Sequence, residues 1–388
     1  MFHIPLHEMF PDPAHEIFPI PAHATVQSPP GGRSTPRYHP FHRKVDDEFA
    51  VRRYCLQLSS AFRDFYAGNT TDYSYDDLHS CAYRVVCARR GEMLYTLVAT
   101  TMSAEVEKLA ASLDHSAPDA EFLRELLARW KKHSDAAAMI VNVLIYFTRV
   151  FVEARGKAPV RELGLRAWRD GVLRRPAGAR LRDTLLDVAR RERAGQAVDV
   201  TLRELMAGAT KMLLEGGDGL YEEVFEAPFL EETRVVCASE SARLLASPWG
   251  CGEYLLVRAV QPMVNAEKAR VSRYLDARTE EKVTAVVLKE MVQKNVTRLV
   301  GMEGSGLAAM LEDGRYWDLT RMHRLLRRVQ GGMQAMTDGM QVYFQEIRNA
   351  AGDNERLLSR EKERCREMID GVFHGEVSFH AALDSCFT

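Results

Sequence analysis

Proline is scarce where it would matter most. Nine of the 15 prolines fall in the first 40 of 388 residues, leaving only Pro118, Pro159, Pro176, Pro228, Pro248 and Pro262 for the remaining 348. Proline removes a backbone donor and clashes inside a helix, so this scarcity leaves room for long helices. A dominant charge is missing as well. The 52 basic and 54 acidic side chains leave a net charge of −2, which gives no overall pull toward nucleic acid or an anionic membrane. No apolar run reaches the ~20 residues of a membrane span. The most apolar stretch, 139–152, carries Asn142, Thr148 and Arg149 and reads as a helix buried in a protein core. The seven cysteines, at 55, 81, 87, 237, 251, 365 and 386, form no CxxC pair, and no secretory signal opens the chain. The expectation is reduced thiols in the cytoplasm or nucleus, with no zinc site. Cys81 and Cys87, six apart on a helical pattern, do not face one metal ion.

Catalytic signatures are equally thin. Gly301-Met302-Glu303-Gly304-Ser305-Gly306 lacks the Lys-Ser/Thr of a phosphate-binding loop and follows a helical pattern rather than a strand. It also misses the spacing of a nucleophile elbow, so a helix-to-helix turn explains its glycines. His374 and His380 flank Glu376, but no His-Glu-x-x-His or comparable ligand spacing exists. The expectation is a chain that is not an enzyme and holds neither metal nor cofactor.

Two kinds of segment are present. In the first 40 residues, His7-Glu8-Met9-Phe10-Pro11-Asp12-Pro13-Ala14 is repeated as His15-Glu16-Ile17-Phe18-Pro19-Ile20-Pro21-Ala22, and Ser28-Pro29-Pro30-Gly31-Gly32 follows. This composition reads as a disordered, low-complexity extension. From Phe41 onward the apolar spacing is helical and no period-two alternation persists, so the body is all-α. Ser74-x-x-Asp77 opens a helix as a capping box; Leu78, Ala82, Val85 and Val86 share one face, and Gly91 is expected to end it. Further helices are expected over roughly 180–193, 200–214, 228–246, 253–275, 279–300, 318–347 and 355–372. A weak internal echo pairs Met139, Val143, Tyr146 and Phe147 with Met336, Met340, Tyr343 and Phe344, 197 residues on. Residues 151–200 carry a net charge of +5 and residues 201–232 carry −6. Their adjacency favours intramolecular pairing over nucleic-acid binding.

One resemblance runs through the body. It is carried by Trp130-x-x-His133 with Met139 and Tyr146-x-x-Arg149, by Leu185-Leu186 through Glu192-Arg193-x-Gly195 and Asp199, and by Tyr221-Glu222 with Phe225-Glu226-Ala227-Pro228-Phe229-Leu230. Arg270-Val271-Ser272-Arg273-Tyr274-Leu275-Asp276-Ala277-Arg278-Thr279-Glu280, Met302 to Leu307, Asp318-Leu319-x-Arg321-Met322 and Arg328-Val329 complete it. From about Phe41 onward the sequence resembles the N-terminal half of a cullin, the scaffold of multisubunit ubiquitin ligases. The resemblance implies an elongated stalk of three stacked five-helix cullin repeats, at 41–155, 156–272 and 273–388 after the 1–40 extension. Such stacking holds two ends a fixed distance apart.

Within the family the sequence is most similar to the class that recruits BTB-domain substrate adaptors. Tyr73-Ser74-Tyr75-Asp76-Asp77-Leu78-His79 with Ala82-Tyr83 resembles that class's adaptor-binding helix, and Tyr146 and Arg149 would complete the surface. The implied partner-binding residues are therefore Tyr73, Tyr75, Asp76, His79, Tyr83, Tyr146 and Arg149. The residues alone agree in part: Tyr75, His79 and Tyr83 lie at i, i+4 and i+8, an aromatic stripe beside a separate apolar face. The resemblance implies that the segment near Arg37–Phe41 would correspond to an N-terminal extension that also contacts adaptors in that class. His79 stands where the class has tyrosine, implying weaker or pH-sensitive binding. Gln330 replaces a family proline, and Asn295 a frequent histidine. The chain stops where the family's cullin-homology domain would begin, so neither a RING subunit nor the modifier-accepting lysine is expected, and the chain would act as a competitor or be an incomplete product. A cullin of another adaptor class would read similarly. So would a helical stalk of a tethering or transport complex, with other long helical subunits or membranes as partners.

Overall fold

Why these residues form helices is visible at their ends. Asp199 and Asn354 cap two helices by accepting from the amides of Thr201 and Leu357, and Ser74 caps another by accepting from Asp77 N at 3.4 Å. Pro176 opens a helix, where the missing amide costs nothing, and Pro228 follows the π-helical turn Glu222–Glu226. The computed structural model describes residues 48–387 other than 218, 248 and 353, and every regular element among them is helical. The proline-rich extension and Arg37–Phe41 lie outside the described residues.

The helices, in chain order, are α1 (Glu48–Ala67), α2 (Tyr75–Cys87), α3 (Gly91–Ala111), α4 (Asp119–Val143), the short α5 (Ile145–Phe147), α6 (Val160–Trp168), α7 (Pro176–Arg193), α8 (Val200–Glu215) and α9 (Ala227–Leu245). The short α10 (Cys251–Glu253) follows, then α11 (Val260–Tyr274), α12 (Thr279–Met291), α13 (Val296–Val300), α14 (Leu307–Glu312), α15 (Tyr316–Leu326), α16 (Gly332–Ala351), α17 (Glu355–Phe373) and α18 (Val377–Cys386). No single helix among them is long and apolar enough to cross a membrane.

Three expected helices are interrupted. The stretch 318–347 divides into α15 and α16 because Gly331 takes φ +76°. Residues 253–275 begin with a π-helical turn, Tyr254–Arg258, before α11, and 279–300 breaks after Met291. Gly91 also plays a different part from the one expected. The left-handed residue after α2 is Arg89, φ 58°, and Gly91 is the first residue of α3. A side chain at 91 is excluded because a Cβ there would lie 2.3 Å from the Phe151 ring.

Buried apolar residues form two clusters. The first runs from Val51 to Phe229 and takes in Val271, Tyr274 and Val283; the second runs from Cys237 to Cys386. α9, α11 and α12 each serve both. Phe229, Tyr274 and Val283 belong to the first cluster, while Cys237, Val264 and Val287 belong to the second. Turns at Gly156 (φ 59°) and at Leu275–Arg278 lie beside the expected repeat boundaries, the second of which, drawn at 272/273, falls inside α11.

Where α7, α8, α9 and α11 meet, charges are buried in pairs. Glu267, 1% exposed, accepts from Arg193 at 3.0 Å and from Arg270 at 2.5 Å. Glu192 accepts from Arg203 at 2.6 Å and from the Tyr274 hydroxyl at 3.0 Å. The basic and acidic blocks of the sequence also meet: Arg190 grips Glu232 with Nη2 at 2.6 Å and Nε at 3.1 Å.

Candidate functional site: an aromatic surface on α2 and α5

α2 is amphipathic with a sharp division of labour. Leu78, Ala82 and Val85 are buried against the core, and Asp76 and Asp77 sit in the first turn, where the helix dipole favours negative charge. The stripe Tyr75–His79–Tyr83 lies along the flank. Tyr75 is 49% exposed and Tyr83 46% exposed. The Cys87 thiol bonds the Tyr83 hydroxyl and pushes its pKa up.

The second half of the surface arrives from 60 residues further on. α4 ends when Leu144 leaves helical geometry (φ −99°, ψ 17°), and the chain bends by 67°. α5 and the π-helical turn Thr148–Val152 then run back past α2. Phe147 anchors this turn in the core, stacked on Phe151 with centroids 5.3 Å apart. Its neighbour Tyr146 is thereby set between the α2 rings. Tyr146 lies 5.0 Å from Tyr83 at 53°, and 6.3 Å from His79 at 74°, an edge-on contact. Geometries of this kind contribute about 0.5–1.5 kcal/mol beyond burial. Arg149 is exposed on the π turn, and no hydrogen bond or ion pair holds it among the described residues.

One residue departs from the expected set. Tyr73 precedes the N-cap, so the helical phase of α2 does not govern it. Its hydroxyl donates to Asp64, which raises its pKa, and its ring meets Phe65 edge-on at 6.3 Å. It fastens α2 to α1 and does not join the Tyr75–His79–Tyr83–Tyr146 group. Ile145 in α5 and Val150 in the π turn are also exposed.

No cluster of metal-ligating side chains occurs among the described residues. A groove of about 420 Å³ between α4 and α6 lies apart from the aromatic surface. There His133 accepts from the Tyr66 hydroxyl through Nδ1 at 2.8 Å and donates from Nε2 to the Gly164 carbonyl at 3.0 Å. His133 also stacks on Trp168, and its burial pulls the imidazole pKa down to about 4.

The family description "Cullin alpha solenoid domain" matches residues 55–388. This chain belongs to the cullin family. It is 36% identical over 355 residues to Cullin-3B of Arabidopsis thaliana, covering 88% of this chain and 47% of that protein. It is 31% identical to Cullin-3 of Dictyostelium discoideum (88% and 45%), and 28% identical to Cullin-3 of Caenorhabditis elegans (87% and 44%). This cullin chain spans about half the length of the curated relatives it matches.

Proposed function

We propose that the chain is a non-catalytic scaffold segment of a cullin-based ubiquitin ligase and that the α2–α5 surface binds BTB-domain substrate adaptors. The observation that carries this reading is the seating of Tyr146 against both His79 and Tyr83, with Tyr75, Asp76 and Arg149 exposed around it. Aromatic anchors with an arginine beside them are the residue types that dominate binding energy at protein interfaces. Pre-packing the rings before a partner arrives lowers the entropy cost of ordering them. Likeness to proteins named Cullin-3 over 88% of the chain supports the same class. A division into three repeats, at the turns near Gly156 and Leu275–Arg278, belongs to this reading. So does residence in the cytoplasm or nucleus, where the buried thiols Cys237 and Cys251, both pushed up to about 12 by burial, would stay reduced.

Pull-down of the full chain against a panel of purified BTB-domain proteins tests the assignment. Tyr83→Ala with Tyr146→Ala is expected to weaken adaptor binding by about 2–4 kcal/mol, while Tyr73→Phe leaves it nearly unchanged. Unaltered binding by the double variant, or capture of no member of the panel by the wild type, would overturn it.

A further inference from the structure

α15 presents a second surface, far along the chain from the α2–α5 site and not required by it. Its inner face is fixed by Leu319, Met322, His323, Leu325 and Leu326, all buried. At 100° per residue, Trp317, Arg321 and Arg324 then fall within about 60° of one another on the outer face, and Arg328 follows in the turn after the helix. From Trp317 to Arg324 the stripe is about 10 Å long, seven residues at 1.5 Å each. Trp317 is 72% exposed, the most open of the four tryptophans, and the Arg321 guanidinium lies over its ring at 5.2 Å. Four arginines gather here, Arg321, Arg324, Arg327 and Arg328, and none of them forms an ion pair among the described residues. The one acid on α15, Asp318, is already held by Arg315 at 2.7 Å. Beside Arg328, a groove of about 560 Å³ adds Lys268 and Arg278 against Glu280 and Glu281; Lys268 holds Glu280 at 2.7 Å.

We propose that the Trp317–Arg321–Arg324 face of α15, with Arg328 in the turn that follows it, docks an acidic protein segment. Its carboxylates would repeat at one-turn spacing, with an apolar side chain seated on Trp317. Guanidinium groups one turn apart match carboxylates at i, i+3 and i+4, and each can pair through two parallel hydrogen bonds. The cation–π contact holds the indole ready as an anchor. Charge also selects among anionic partners. The chain's net charge of −2 gives no long-range field to gather an extended polyanion, while a short acidic segment needs only the local cluster within a Debye length of about 8 Å. A bilayer surface would call for several aromatic anchors in one plane, and the stripe holds a single one.

The test uses the full chain and a synthetic 16-residue helical peptide carrying glutamates at i, i+3 and i+4 with one leucine. Binding is read from the emission of Trp317, assigned by its loss in Trp317→Phe. The expected result is saturable binding that weakens roughly tenfold or more in Arg324→Glu with Arg328→Glu, and that falls with added salt. A lysine version of the peptide should bind the charge-reversed chain in preference to the wild type. Circular dichroism of the variants, whose changed side chains are exposed, confirms that they are folded. No binding by the glutamate peptide would overturn the proposal, as would binding within twofold of wild type by the charge-reversed chain. So would tighter binding to phosphatidylserine vesicles or to a single-stranded oligonucleotide than to the peptide.

Discussion

At the scale of single residues, position relative to a helix cap decides role. Tyr73 and Tyr75 are two residues apart and chemically alike, yet Ser74 between them ends the extended chain and starts α2. Tyr75 therefore inherits the helical phase and points outward with Tyr83, whereas Tyr73 turns to Asp64 and Phe65. Helical spacing could identify the stripe but not exclude Tyr73, because periodicity carries no information outside its own helix. His133 illustrates burial acting on chemistry. Its folded-state pKa of about 4 lies below the ordinary 6.5, so the unfolded chain binds a proton that the folded chain refuses between those values. Its contribution is present in full above pH 6.5 and is lost as pH falls toward 4, amounting to about 3 kcal/mol. Buried His323 shifts in the same direction. Urea midpoints should therefore drop between pH 7 and pH 4.5, and His133→Gln should flatten that slope while lowering stability at pH 7. An equal slope in the variant would remove His133 as the cause.

Elements meet through a few close approaches that local sequence does not announce. The site depends on the bend at Leu144, on Phe147 as anchor, and on the fit of Phe151 against the start of α3. Gly91→Ala would drive a methyl group into the Phe151 ring, costing about 1–3 kcal/mol of stability. Because Phe151 stacks on Phe147, next to Tyr146, the same change should weaken adaptor binding from a position outside the aromatic surface. Thermal denaturation and binding measured on one preparation check both effects; a stability loss with unaltered adaptor affinity would separate the two elements. The sequence showed an apolar helix over 139–152 and a glycine at 91. It did not show that the helix would bend at Leu144, nor that this glycine, packed on a ring 60 residues away, opens a helix instead of closing one.

For the molecule as a whole, the question is whether the two buried clusters behave as one. α9, α11 and α12 each give side chains to both, so neither cluster can lose its packing without exposing helices that the other needs. Unfolding of 48–387 is expected to be cooperative, with far-ultraviolet circular dichroism and tryptophan emission changing together. The charge network at this seam is the sensitive point. Glu267→Ala leaves Arg193 and Arg270, 7% and 8% exposed at their side chains, without their shared carboxylate. A loss of about 3–5 kcal/mol is expected in denaturant titration. A change below 1 kcal/mol would show that water replaces the carboxylate and that the seam is not held by it.

The sequence by itself determined the all-α class, the placement of most helices, the phase of α2 and the family, because helical periodicity, capping residues and ordered motifs are local signals. Only the tertiary structure decided that Tyr146 sits between His79 and Tyr83, that Tyr73 serves α1, and that Arg193 meets Glu267 across 74 residues. It also left Arg321 and Arg324 of α15 without an ion pair among the described residues. Such pairings depend on which faces meet in space, and a repeat of 3.6 residues says which face is apolar but not what it will touch.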